Sequence, residues 1–271
     1  MAAAARAAHI LVDAEPHIFA DSLAVPLLGD RAEELLGYHR ASGEHPILRG
    51  ARAQAVVRSR YTEQRLAAAV RNGIAQYVIL GAGLDTFAHR NELGVRVFEV
   101  DHPATQHWKR ALLEDAGINI PDTATHVAVD FESDSLGDAL VSAGFDPARP
   151  AFVGWLGVTM YVTRGSLRET LATLGKFAPG TQLVTDYVVS EELRDATGRE
   201  YAEAVAQVAS EGGEPWLSCF TPAEMGTQLR DHGFTSVDDT DQRNAIDPEL
   251  WQRRDGLSPG TLSRLVHARV R

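Results

Sequence analysis

The chain has 271 residues, enough for one large α/β domain carrying a helical extension. Hydrophobic residues make up 44% and charged residues 23%, as in an ordinary soluble globular protein, and the formal net charge is −11. That charge, with no run of five or six Lys/Arg, argues against nucleic acid and anionic membranes as partners, while leaving room for a charged small molecule in a local basic pocket.

Cys219 stands alone, so neither an internal disulfide nor a thiolate metal cage is expected, and it reads as a small buried hydrophobe. The Ala-rich start lacks the continuous apolar core of a signal peptide, and no stretch approaches the roughly 18 apolar residues of a membrane span. A reducing cytoplasm is the expected setting.

Residues 1–75 read as a helical N-terminal cover. LLGDRAEELLGYHRA and ARAQAVVRSRYTEQRLAAAVRNG have helix-period apolar positions, and Asn72-Gly73 is a natural stop. The core, 76–189, begins where the rhythm changes at Gln76. QYVILG (76–81) predicts a buried parallel strand, followed by VRVFEVD (95–101), THVAVDF (125–131), AFVGWLGV (151–158) and TQLVTDYVV (181–189). Helical stretches over 102–117, 133–144 and 165–177 alternate with them, the last opened by a capping box of Ser166 and Glu169. Such alternation predicts a doubly wound, Rossmann-like sheet covered on both faces.

Residues 190–220 break the alternation and are expected to form a lid, with Gly212-Gly213 as a hinge. Over 221–271, Thr221-Pro222-Ala223-Glu224 opens a helix as a cleaner capping box; FTSVDD and TLSRLVHARVR then read as a closing hairpin. The expectation is one domain built on a seven-stranded sheet, mostly parallel, with a C-terminal antiparallel strand.

The chemistry centres on Gly81-Ala82-Gly83, where a strand runs into a G-x-G turn and backbone can approach a ligand closely. Asp101 follows Gly81 by twenty residues at the end of the second strand, where an acid can accept hydrogen bonds from two ribose hydroxyls. The dinucleotide fingerprint would need a third glycine where Thr86 stands. Its absence favours S-adenosylmethionine (SAM), which has no pyrophosphate, over NAD. At the third strand's edge, Asp130 can accept from an adenine amino group while the Phe131 N–H donates to the ring; an ordinary helix N-cap region is the alternative.

These segments together resemble a family. LGAGLDT, VFEVDHP, VAVDF and WLGVTMY, with VVRSRYTEQRLAAAV ahead of them, are similar to the leucine carboxyl methyltransferase-like family of class I SAM-dependent enzymes, from about residue 15 to the C-terminus. The resemblance implies SAM as cofactor, with Arg58 pairing with its carboxylate, Gly81 beside it, Asp101 on the ribose, and Asp130 with Phe131 at the adenine. A guanidinium fork suits that carboxylate, and Arg65 would share the helix face of Arg58 while Arg60 points elsewhere. One departure stands out. Many relatives carry glutamate four residues before the Met-Tyr pair, and here Leu156 occupies that place, so its contact to cofactor becomes apolar.

Neither a Ser-His-Asp ordering nor H-x-x-x-H nor C-x-x-C occurs, so no hydrolase or metal site is indicated. His102 and His107 follow Asp101, but Pro103 should start a helix that leaves His107 on its surface, so neither is favoured as a base. Tyr61, Trp155 and Tyr161 are the aromatics nearest the predicted strand tops and the candidates for an acceptor wall. The expected function is O-methylation of a carboxyl or other oxygen on a small molecule or peptide. An NAD-dependent oxidoreductase and a non-catalytic SAM-binding regulator are the alternatives. Acceptor identity, any general base and oligomeric state stay open at this level.

Overall fold

The computed structural model describes residues 2–211 and 215–271. Three N-terminal helices come first: α1 (Ala2–Val12), α2 (Ala32–Ser42) and the 26-residue α3 (Pro46–Arg71). The alanines of α1 have a packing role. Ala3, Ala4, Ala7 and Ala8 are buried against Ala24, Leu28 and Leu36, small side chains that let the elements approach closely. Polar anchors complete the attachment: Arg6 donates to Asp21 at 2.9 Å, and Arg52 of α3 clasps Asp13 with two bonds of 2.8 and 2.9 Å.

The core strands are β1 (Gln76–Leu80), β2 (Arg96–Asp101), β3 (Ala124–Ala128), β4 (Phe152–Trp155), β5 (Gln182–Val188), β6 (Phe234–Asp241) and β7 (Ser263–Val270). They form one sheet in the order β3-β2-β1-β4-β5-β7-β6. Neighbours from β3 to β5 are parallel, and β7 runs antiparallel to both β5 and β6. The expected seven strands and single reversed strand are therefore present. The order turns back at β1 and β4, the crevice where doubly wound sheets bind ligands.

Side chains alternate across the sheet. Val78, Leu80, Phe98 and Val100 face α5 (Leu136–Ser142), α6 (Arg164–Leu174) and α8 (Pro222–Asp231). Tyr77, Ile79 and Val97 face Val56, Val57 and Leu66 of α3. The remaining helix on the core, α4 (Pro103–Asp115), starts directly after β2. Burial on both faces explains the continuous apolar runs of these strands.

Two strand ends and one helix cap fall elsewhere than expected. β4 ends at Trp155 instead of 158, because Gly157 turns the chain with a φ of +71°. β3 ends at Ala128, so Asp130 and Phe131 lie beyond it. There Asp134 accepts from the Asp130 N–H at 2.9 Å, and Asp130 accepts from the Glu132 N–H at 3.0 Å, a local turn that replaces the ladder. Helix α6 is capped by Thr163, which accepts from the Ser166 N–H at 3.1 Å, and Ser166 instead donates to Glu132 at 2.9 Å. The expected Ser166–Glu169 box is thus displaced, whereas the Thr221–Glu224 box is formed.

The stretch 190–220 holds a 3-10 turn at Glu191–Leu193 and α7 (Ala196–Glu211), which packs on α3. Ala202 of α7 is buried with Met160, Val188 and Leu262. The Gly212-Gly213 pair expected as a hinge lies outside the described residues. Among the described residues no helix is long and apolar enough to cross a membrane.

Candidate functional site

The site grows from the turn after β1. The N–H groups of Gly81 and Ala82 donate to the Val100 carbonyl at 2.8 and 3.0 Å, which draws the turn against β2. Gly81 (φ +65°) leaves no room for a Cβ, which would collide with Val158. At Gly83 (φ +46°) the opposite holds: the nearest atom to an added Cβ is the Gly81 carbonyl oxygen at 4.0 Å. One glycine is tight against protein; the other opens bare backbone to a ligand.

Asp101, at the end of β2, accepts from the Gly83 N–H at 2.5 Å and the His102 N–H at 2.7 Å. The acid and the glycine turn anticipated separately from sequence are thus one hydrogen-bonded unit. His102 caps α4, with Nδ1 accepting from the Ala104 N–H at 3.2 Å, and His107 is exposed.

Beside the turn lies a cavity of about 250 Å³ whose lining includes Arg58, Gly81, Ala82, Gly83 and Leu156. Five of the sequence-derived candidates therefore converge on one space. Arg58 arrives from α3, and its Nη1 donates to Asp186 of β5 at 3.2 Å. Asp186, 1% exposed, also accepts the Gly157 N–H at 2.6 Å. Gly157 is required for this packing, because a Cβ there would lie 2.6 Å from Nη2 of Arg58. Asp101, Asp130 and Phe131 are outside that lining, Phe131 packing partly on the core below. Tyr61 and Trp155, expected along an acceptor wall, are both 1% exposed and sit in the two cores, outside the cavity lining. Burial pushes the Tyr61 phenol up to about 12. Tyr161 packs with Met160, Tyr201 and Trp216, also off the lining.

Four contributors were missed from sequence. Asp186 is one. Arg6 is another: it lines the cavity from α1 and donates to the Leu84 carbonyl at 2.7 Å. Trp108, half exposed on α4, stands at the same cavity. Lys109, fully buried, donates to the Asp85 carbonyl at 2.6 Å and to Glu99 at 2.8 Å, with His126 3.1 Å from the same carboxylate. Burial alone would raise the Glu99 carboxyl, but the Lys109 charge and its bonds outweigh that and hold it at about 2.

A larger groove of about 650 Å³, with Glu63, His89 and Arg90 in its walls, shares no residue with this cavity. Among the described residues no group of three His, Cys, Asp or Glu is placed to hold a metal ion.

The arrangement fits SAM on its own chemistry. An open glycine cradle is flanked by a carboxylate suited to ribose hydroxyls and a guanidinium suited to an amino-acid carboxylate. At about 250 Å³ the cavity is smaller than the roughly 300–1,000 Å³ of whole-ligand pockets.

Comparison with known proteins gives the same picture. The model of the leucine carboxyl methyltransferase family matches residues 1–175. YktD of Bacillus subtilis, named as an S-adenosyl-L-methionine-dependent methyltransferase, is 36% identical over 218 residues, covering 79% of this chain and 71% of its own length. A Mycolicibacterium smegmatis protein with the same kind of name is 35% identical over 58% of this chain, which spans 53% of that relative. In fold, the chain is similar to a Streptomyces avermitilis protein of the duf574 family, with a TM-score of 0.63 at 16% identity over 98% of this chain and 97% of that one. A Thermobifida fusca protein named as a methyltransferase gives a TM-score of 0.61 at 20% identity, covering 91% of this chain and 92% of that one.

Proposed function

The chain belongs to the leucine carboxyl methyltransferase family and is a SAM-dependent methyltransferase, and we propose that it places the methyl group on an oxygen, a carboxyl oxygen first, of a small molecule or peptide. The observation that carries the choice of acceptor is the cavity lining, which holds two arginines, Arg6 and Arg58, no histidine or lysine, and one carboxylate, Asp85, that already accepts from the Phe87 N–H at 2.8 Å. A carboxylate, with a reference pKa near 4, reacts without a base; a phenol near 10 needs one.

When bound, SAM supplies a methyl on a sulfonium, which transfers to the acceptor oxygen as the carbon–sulfur bond pair returns to sulfur. The chain's own work is placement. Arg58 holds the amino-acid carboxylate, the Gly81–Gly83 backbone cradles the middle, Asp101 accepts the ribose hydroxyls, and Asp130 with the Phe131 N–H meets the adenine. Leu156 gives the cavity an apolar wall, which keeps water from the charges around it. Aligning acceptor, methyl and sulfur in a dry site supplies most of the acceleration such a displacement needs.

The test is incubation with methyl-labelled SAM and a metabolite extract, followed by alkaline hydrolysis of the labelled product. A carboxyl ester releases labelled methanol; an ether retains its label. A product methylated on nitrogen, sulfur or carbon would sink the oxygen assignment.

A further inference from the structure

We propose that Asp186 is a positioning residue for cofactor binding, holding the Arg58 guanidinium in the orientation that receives the amino-acid carboxylate; this rests on the SAM reading above. Asp186 lies in the wholly buried strand β5, where an unpaired carboxylate would be strongly unfavourable. Its two oxygens are divided between the Gly157 N–H and Arg58 Nη1. It thereby joins the end of β4 to α3 across the cavity wall.

Arg58 is constrained from both sides. Among the described residues, Asp186 is the only carboxylate within 4 Å of it. Against its other face lies Gly157, where even a Cβ would stand 2.6–2.9 Å from the guanidinium atoms. A long side chain that must be ordered at the moment of binding lowers affinity, and one already held in place does not. Arg58 keeps 17% of its side chain exposed and lines the cavity together with the apolar Leu156. The guanidinium is therefore fixed from behind and presented in front.

The test uses two ligands that differ at the amino-acid end: S-adenosylhomocysteine, which has it, and 5′-methylthioadenosine, which lacks it. Calorimetry is run on wild type, Asp186→Asn, Arg58→Ala and the double variant, each checked for a normal melting curve. Asp186→Asn leaves one acceptor for two donors and removes the charge opposite the guanidinium, and S-adenosylhomocysteine should bind about tenfold more weakly. Methylthioadenosine affinity should not change. With Arg58 already alanine, Asp186→Asn should add little further loss, because the effect runs through that side chain. Equal losses for both ligands, or a full additional loss in the Arg58→Ala background, would overturn the proposal. If Asp186→Asn does not fold, Asp186→Glu keeps the charge but displaces the guanidinium, and the same difference between ligands is expected. Should wild type bind neither ligand, the cofactor reading itself fails; should wild type bind both and the variants discriminate neither, only the role of Asp186 fails.

Discussion

The Asp101 carboxylate accepts the Gly83 N–H at 2.5 Å, so the acid at the end of β2 and the glycine turn after β1 hold each other in place. Asp101→Asn leaves one oxygen to accept and turns the other half into a donor, facing either Gly83 or His102. A charge-assisted bond contributes about 1.5–3 kcal/mol, so S-adenosylhomocysteine affinity should fall by at least roughly tenfold in calorimetry. Stability should fall by about 1 kcal/mol in urea, more than a solvated acid would give. Unchanged affinity would show that Asp101 serves the turn alone.

Glu99, two residues before Asp101, is buried in an ion pair with Lys109 at 2.8 Å, and its role is structural. Glu99→Gln leaves the Lys109 ammonium buried without its counter-charge, a change that costs about 3–5 kcal/mol. Glu99→Gln combined with Lys109→Met removes both charges and should recover much of that loss in a denaturant titration. A single variant as stable as wild type would mean that the ion pair is dispensable.

Gly157→Ala tests the packing of Arg58 from the other side. The φ of +71° disfavours alanine by about 1–2 kcal/mol, and the new methyl group occupies the guanidinium's place. We expect a folded protein, measurable by its melting curve, that binds S-adenosylhomocysteine weakly. Normal binding would show that Arg58 has another productive rotamer.

Acid sensitivity should appear before the carboxylates titrate. Burial and the nearby Arg52 charge lower His39 to about 4, and burial with the Arg65 charge lowers His267 to about 4. Both are neutral in the fold, where Arg52 donates to Nδ1 of His39. Because the unfolded chain takes up these protons near pH 6.5, stability is complete above that value and declines as pH falls toward 4. Glu99 acts later: its contribution, present above pH 4.5, is lost as pH falls toward 2. Melting temperatures from pH 7.5 to 4 should show the first decline, and His39→Asn, which keeps an acceptor for Arg52, should flatten it. An identical slope in that variant would remove His39 from the explanation.

What could be read from sequence was local in the chain. Gly81, Gly83 and Asp101 belong to a strand–turn–strand unit whose spacing alone brings them together. The five parallel strands were legible because burial on both faces leaves little but apolar residues. Arg58 needed the family resemblance, since a helix charge is ordinarily solvated. Asp186 and Glu99 are each an acid in the interior of a buried strand, and such a charge must have a partner. Their partners could not be named, because Arg58 lies 128 positions from Asp186 and only the packing of α3 brings it there. Tyr61 and Trp155 misled for the reverse reason. Proximity to a strand end says nothing about which side of the sheet a ring faces, and both rings face a core.

The sheet order carries a consequence for how the protein is made. β7 lies between β5 and β6, and among the described residues β6 has no other strand neighbour. Although β6 leaves the ribosome first, it has nothing to pair with until residues 263–270 follow. Until then β5, buried on both faces in the finished sheet, presents an open edge able to pair with the strands of other chains. Closure depends on the strand synthesised last among the seven, so a ribosome stalled before Ser263 would hold out a nearly complete sheet whose outer edge is still adhesive.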